Sequence, residues 1–140
     1  MTTLELLIDK GASIPESALY QAAENGHYEM VKFLAKCKID PNYRDRQETA
    51  LVKAASQKDL PMVELLLSIG ADVNAGAEAR TWTALHHAAI EGHLEMTRLL
   101  VAAGGEVNAG ISDWKTPLEL AGEKRHDDVI EFLVESGAKG

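Results

Sequence analysis

Met30-Val31-Lys32-Phe33-Leu34 returns as Met62-Val63-Glu64-Leu65-Leu66, as Met96-Thr97-Arg98-Leu99-Leu100 and as Val129-Ile130-Glu131-Phe132-Leu133, at offsets of 32, 34 and 33 residues. Ahead of each block stands a pair of small residues, Ala22-Ala23, Ala54-Ala55, Ala88-Ala89 and Ala121-Gly122, again at offsets of 32, 34 and 33. Two patterns that keep the same uneven spacing define a repeat register. Each unit then holds one helix centred on small residues and a second whose Leu, Val, Phe and Met positions recur at three- and four-residue steps. Such a unit cannot bury its apolar face alone, so neighbours stack and the core runs along one axis. The small pairs let the first helices approach closely, and the larger residues of the second helices form a continuous core. A charge at Leu66 or Leu100 should therefore break the array, whereas one at Glu64 or Arg98 should not.

Between the two helices lie Asn25-Gly26-His27, Lys58-Asp59, Glu91-Gly92-His93 and Arg125-His126. Glycine at such a point reads as a helix C-cap, where a residue without Cβ takes the left-handed conformation cheaply. Thr116 and Glu119, three apart with Pro117 between them, form a capping box at a helix start. Thr83 and His86 repeat that spacing with an imidazole in place of the carboxylate.

Thr83-Ala84-Leu85-His86-His87-Ala88-Ala89-Ile90-Glu91-Gly92-His93, followed by Leu99-Leu100 and Glu106-Val107-Asn108-Ala109, resembles the ankyrin repeat throughout one unit. Thr116-Pro117-Leu118-Glu119-Leu120-Ala121 matches the family's Thr-Pro-Leu-His-x-Ala signature with Glu for His, and Gly70-Ala71-Asp72-Val73-Asn74 and Gly137-Ala138 match its inter-unit turn. Ser17-Ala18-Leu19-Tyr20 and Thr49-Ala50-Leu51-Val52 are weaker versions. The resemblance covers essentially the whole chain of 140 residues. It implies an all-α ankyrin repeat solenoid of stacked antiparallel helix pairs with short, hairpin-like projecting loops. One domain, 1–140, divides into a half repeat at 1–15, carried by Thr3 to Ala12, and repeats at about 16–41, 42–73, 74–107 and 108–140. Projecting fingers are expected at Tyr43 to Glu48, Ala75 to Trp82 and Ala109 to Lys115, the last with Trp114 where the family commonly has a turn glycine.

Composition points to a protein without a membrane segment. Met1 to Asp9 lacks a basic start and is interrupted by Glu5, which makes a poor signal peptide, and no apolar run reaches membrane-spanning length. The one cysteine, Cys37, has no partner for an internal disulfide and fits a reducing compartment. The cytoplasm is the expected location, with the nucleus as the alternative, and the expected state is a monomer. A formal charge of −8 argues against nucleic acid, whose phosphates are bound chiefly by clustered Lys and Arg. In the fingers Arg44, Arg46, Arg80 and Lys115 offset Asp45, Glu48, Glu78 and Asp113, so the helices carry the negative excess and the finger side tolerates an acidic partner.

Catalytic patterns are not expected. His86, His87, His93 and Glu91 are near one another in sequence, but His86 and His93 stand at the two histidine positions where the family caps and cross-links turns, and His87 and Glu91 suit a surface pair on one helix. No nucleophile stands with a base and an orienting group in a known pattern. The expectation is therefore a non-enzyme with no cofactor and no metal. The resemblance implies a protein partner docked on the concave surface formed by the fingers and the exposed side of the first helices. Transferred unit by unit, it selects Tyr43, Arg46, Lys53, Arg80, Trp82, His87, Ile90, Glu91, Lys115 and Leu120, with Tyr43, Arg46, Arg80, Trp82, His87 and Ile90 as the core of the set because interfaces lean on Trp, Tyr and Arg anchors. Trp82 either anchors a partner or covers the base of its own finger, and Leu120 is either solvent-facing or packed on Leu118 or on a lost fifth unit. Asn74 and Asn108, each eight residues after Leu66 and Leu100, match ankyrin asparagines that hydroxylases modify; the other reading is that their side chains satisfy turn backbone groups. The function expected is a non-catalytic protein-binding module, with a recruitment or inhibitory segment of a larger enzyme or signalling protein, or an engineered folding-selected scaffold, as alternatives.

Overall fold

The computed structural model describes residues 14–77, 81–110 and 115–139. The half repeat read at Thr3 to Ala12 lies outside the described residues, as do Arg80 in the second finger and Asp113 and Trp114 in the third. Among the described residues the chain forms four helix pairs. They are α1 (Ala18–Glu24) with α2 (Tyr28–Lys36), α3 (Ala50–Ser56) with α4 (Leu60–Ser68), α5 (Ala84–Glu91) with α6 (Leu94–Ala102), and α7 (Pro117–Glu123) with α8 (Asp127–Glu135). First helices pack in the order α1, α3, α5, α7 and second helices in the order α2, α4, α6, α8. This is the all-α solenoid that the repeat offsets require.

Capping fixes where the helices begin. Thr49 Oγ1 accepts from the Val52 N–H at 3.4 Å, and Thr116 Oγ1 accepts from Glu119 N–H at 3.2 Å while Glu119 returns an oxygen to Thr116 N–H at 3.3 Å. His86 Nδ1 accepts from Thr83 N–H at 3.1 Å, as the spacing predicted. In the second helices Asp59 and His93 are the caps, accepting from Met62 and Met96 N–H, each at 3.2 Å. These bonds satisfy donors that a helix start leaves unpaired.

The turn inside each pair takes a left-handed residue, Gly26, Lys58, Gly92 or Arg125. Glycine is thus used in two units and replaced in two. At Gly92, φ is +69°, and an added Cβ would stand 2.5 Å from the His126 ring, so both conformation and space demand glycine there. That ring sits close because His126 Nε2–H donates to the Ile90 carbonyl at 2.9 Å, tying the third pair to the fourth.

The core follows the register. Ala23, Ala54, Ala89 and Ala121 are fully buried in the first-helix stack, and Leu34, Leu66, Leu100 and Leu133 in the second. A third ladder runs along the inter-unit turns, where Asn42, Asn74 and Asn108 each clip two units together. Their Oδ1 atoms accept from Asp72, Glu106 and Lys139 N–H at 2.6, 2.7 and 2.8 Å, and their Nδ2 groups donate to the carbonyls of Gly70, Gly104 and Gly137 at 3.4, 3.1 and 3.2 Å. Asn74 and Asn108 thus satisfy turn backbone as one reading of the sequence held. Asn42, at the same offset of 32 from Asn74 as the other markers, is a third member that the sequence reading missed.

Candidate functional site

The first finger is a hairpin. Strands β1 (Arg44–Asp45) and β2 (Glu48–Thr49) pair antiparallel with Arg44 opposite Thr49 and Asp45 opposite Glu48. Arg46 and Gln47 form the two-residue turn with φ of 52° and 72°, the left-handed pair that a right-twisted ribbon needs. Asn-Gly would take that turn at least cost, yet Arg and Gln stand there. The second finger returns through Thr81, whose N–H donates to the Gly76 carbonyl at 3.0 Å.

Between the hairpin and this return lies a cleft of about 250 Å³ lined by Arg46, Gln47, Glu48, Val52, Thr81, Trp82 and His87. Three residues expected at a binding surface, Arg46, Trp82 and His87, meet here, although 41 positions separate the first from the last. The helix pairing does this, because α3 and α5 pack side by side and carry Val52 and His87 into line beneath the two fingers.

Trp82 is half-buried and held from two sides. Its ring stacks on His86 at a centroid distance of 6.3 Å and 19° between planes, and meets the His87 ring edge-on at 5.2 Å and 65°. Trp82 therefore packs on the start of its own helix and also lines the opening. His86 is fully buried, and its Nε2–H donates to the Lys115 carbonyl at 3.0 Å, so Nδ1 is the acceptor for Thr83. Burial pushes this imidazole down to about 4, against the pull of the Lys115 carbonyl. Burial also holds His87 below the ordinary histidine range, outweighing the upward influence of Glu48 and Glu91. Both rings are neutral at pH 7.

Glu48 Oε2 accepts from the Tyr20 hydroxyl at 2.9 Å, so the cleft wall is braced from the preceding unit. Burial, then the Glu48 carboxylate, raises the Tyr20 phenol well above its usual range. Lys53 is half-buried and pairs with Glu24 at 3.6 Å; Lys58 pairs with Glu91 at 2.9 Å, so Glu91 serves an inter-unit bridge in place of the His87 pair read from the sequence. Lys115 is exposed and pairs with Glu123. Tyr43 belongs to a different recess, lined by Ile14, Glu16, Ile39 and Asp40. Ile90 is half-buried.

Leu120 corrects the sequence reading. It is only 1% exposed, because Pro117, Leu120 and Ala121 form one i, i+3, i+4 stripe and that stripe faces inward. Leu120 is a core residue and leaves the list of partner-binding candidates. Among the described residues no group of three or more His, Cys, Asp and Glu side chains is arranged to hold a metal ion, and no helix is long and apolar enough to cross a membrane.

Comparison with known proteins agrees with the geometry. A family model described as ankyrin repeats in three copies matches residues 1–77 and again 75–140. The chain is similar to the ankyrin repeat and KH domain-containing protein mask-1 of Caenorhabditis elegans, with 38% identity over 139 residues, 96% of this chain but 5% of that relative. The stacked helix pairs, the capping pattern and the near-complete family match lead to one conclusion: the chain belongs to the ankyrin repeat family.

Proposed function

We propose that this chain binds a segment of a partner protein on its finger side, with the cleft between the hairpin and Trp82 at the centre. Ankyrin repeats are generally protein-interaction modules and typically non-catalytic. The observation that carries the location is the convergence of Arg46, Trp82 and His87 on one opening, with the Trp ring fixed by two histidines before any partner arrives. A preorganised aromatic at the middle of a concave surface is the kind of residue that supplies most of an interface's energy.

The test is capture of partners from a cell lysate by the chain and by a Trp82→Ala/His87→Ala variant, with circular dichroism and thermal melting showing that both are folded. Loss of the dominant partner, at least about tenfold in affinity once it is purified, is the expected result. Equal binding by both forms would move the site to another face. A second reading, a recruitment segment within a larger protein, is favoured by the 38% identical relative, of which the matched stretch is 5%. A native reading frame that adds a catalytic domain would support it.

A further inference from the structure

The cleft has a charge pattern that selects among partner side chains. Lys53 is tied to Glu24, Lys58 to Glu91 and Lys115 to Glu123. Among the described residues, no lysine or arginine pairs with Glu48. One of its oxygens takes the Tyr20 hydroxyl at 2.9 Å. A carboxylate has about four lone-pair directions, so that bond orients the group and leaves acceptor capacity on a residue that lines the opening. Across the cleft stands the Trp82 ring, whose π-face attracts cations. The two histidines against that ring are neutral and oppose no incoming positive charge. Among the described lining residues Arg46 is the opposing charge. It sits exposed at the hairpin turn, where solvent screens it, whereas Glu48 is half-buried against Tyr20.

Size narrows the occupant further. Sites for drug-sized ligands run from about 300 to 1,000 Å³, and this cleft, at about 250 Å³ and open to solvent, suits one long side chain of a larger partner. The net charge of −8 draws basic segments toward the molecule as a whole.

We propose, building on the finger-side binding reading, that the cleft is a subsite for a cationic side chain of an extended partner segment, with Glu48 as counter-ion and Trp82 as platform. Arginine is preferred to lysine, because a planar guanidinium can lie on an aromatic ring and offer parallel N–H groups to a carboxylate at once. This departs from the acidic partner that the balanced finger charges suggested, since Lys53, Lys58 and Lys115 are already committed to neighbouring carboxylates.

The test uses capped pentapeptides Gly-Gly-X-Gly-Gly with arginine, lysine, citrulline or glutamate at X. Each is titrated into isotope-labelled chain carrying Trp114→Phe, so that the one remaining indole N–H in the NMR spectrum reports on Trp82. The arginine peptide should shift that resonance at millimolar concentration, lysine more weakly, and citrulline and glutamate at least roughly fivefold more weakly than arginine. Glu48→Gln, which keeps an acceptor for Tyr20, should weaken the arginine peptide roughly fivefold, and Arg46→Ala should strengthen it. Citrulline or glutamate binding as well as arginine, an unchanged response in Glu48→Gln, or no shift with arginine would each overturn the proposal. If a natural partner is lost from Trp82→Ala/His87→Ala but kept by Glu48→Gln, finger-side binding stands and the cation subsite falls.

Discussion

Two residues show how much of the stack hangs on single side chains. His86 caps α5, stacks under Trp82 and donates to the Lys115 carbonyl; the neutral ring with its proton on Nε2 fills all three roles at once, and the cap is the one that requires a bare Nδ1. A second proton on Nδ1 would face the Thr83 N–H, donor against donor. With the folded imidazole near 4 and an unfolded value of about 6.5, the unfolded chain holds more protons throughout that interval. Stability from His86 is therefore complete above about pH 6.5 and drains away as pH falls toward 4, by about 3 kcal/mol in all. Urea unfolding of the wild type and of His86→Ala at several pH values should show the wild type losing about that much more between pH 7 and 4; parallel curves would reject it. Gly92 makes a sharper pair. Its left-handed φ and the His126 ring 2.5 Å from a would-be Cβ should make Gly92→Ala cost about 2 kcal/mol, part conformational and part displacement of the ring from Ile90. His126→Ala should lose the Ile90 bond but make room, so the double variant should cost less than the two single costs added. Additive costs in that double-mutant cycle would show that the two positions are independent.

At the scale of elements, the helices were legible because two independent residue classes kept one set of offsets, and the caps because Thr116-Pro117-Leu118-Glu119 and Thr83 to His86 name their own hydrogen bonds. Inter-unit contacts were less so. Asn42 carries the ladder's offset and the Asp-x-Asn spacing of Asp72-Val73-Asn74, but Pro41 stands where that turn has an aliphatic residue, and the reading of Leu120 failed because its unit was aligned by signature, not by its own i, i+3, i+4 stripe. The first finger was legible through the family resemblance as a hairpin-like loop, but neither its register nor its turn could be read, since Arg46-Gln47 gives no turn signal. That mismatch is measurable. Both residues hold positive φ, which costs an L-residue about 1 kcal/mol and glycine almost nothing. Arg46→Asn/Gln47→Gly should therefore raise stability by about 1 kcal/mol in thermal or urea unfolding, with no change in circular dichroism. A loss of stability would mean that Arg46 or Gln47 makes a folded-state contact worth more than the strain.

The whole molecule is a stack with 22 acidic and 14 basic residues, and its electrostatics work against its packing. Ion pairs between described residues are partly to largely exposed, from 27% and 40% at Lys53–Glu24 to 54% and 89% at Lys32–Glu29, and such pairs contribute about 0–1 kcal/mol each. The excess of carboxylates is spread along the axis, so each unit repels its neighbours. At about 10 mM salt the screening length is about 30 Å, long enough for that repulsion to act across several units; at 150 mM it is about 8 Å. Salt weakens both the surface pairs and the repulsion, and the repulsion is the larger quantity when net charge is −8. Raising ionic strength from about 10 to 150 mM at pH 7 should therefore raise Tm by a few degrees. The pH dependence separates this from any specific effect of the ion. Near the isoelectric point of about 5.1 the net charge vanishes, and the gain from salt should vanish with it. In the same range His86 begins to weigh against the fold, so the wild type should melt lower at pH 5 than at pH 7 in physiological salt even though its mutual repulsion has gone. Melting curves over both variables test the two contributions together. A salt effect that persists unchanged at pH 5 would show that repulsion between carboxylates is not its source.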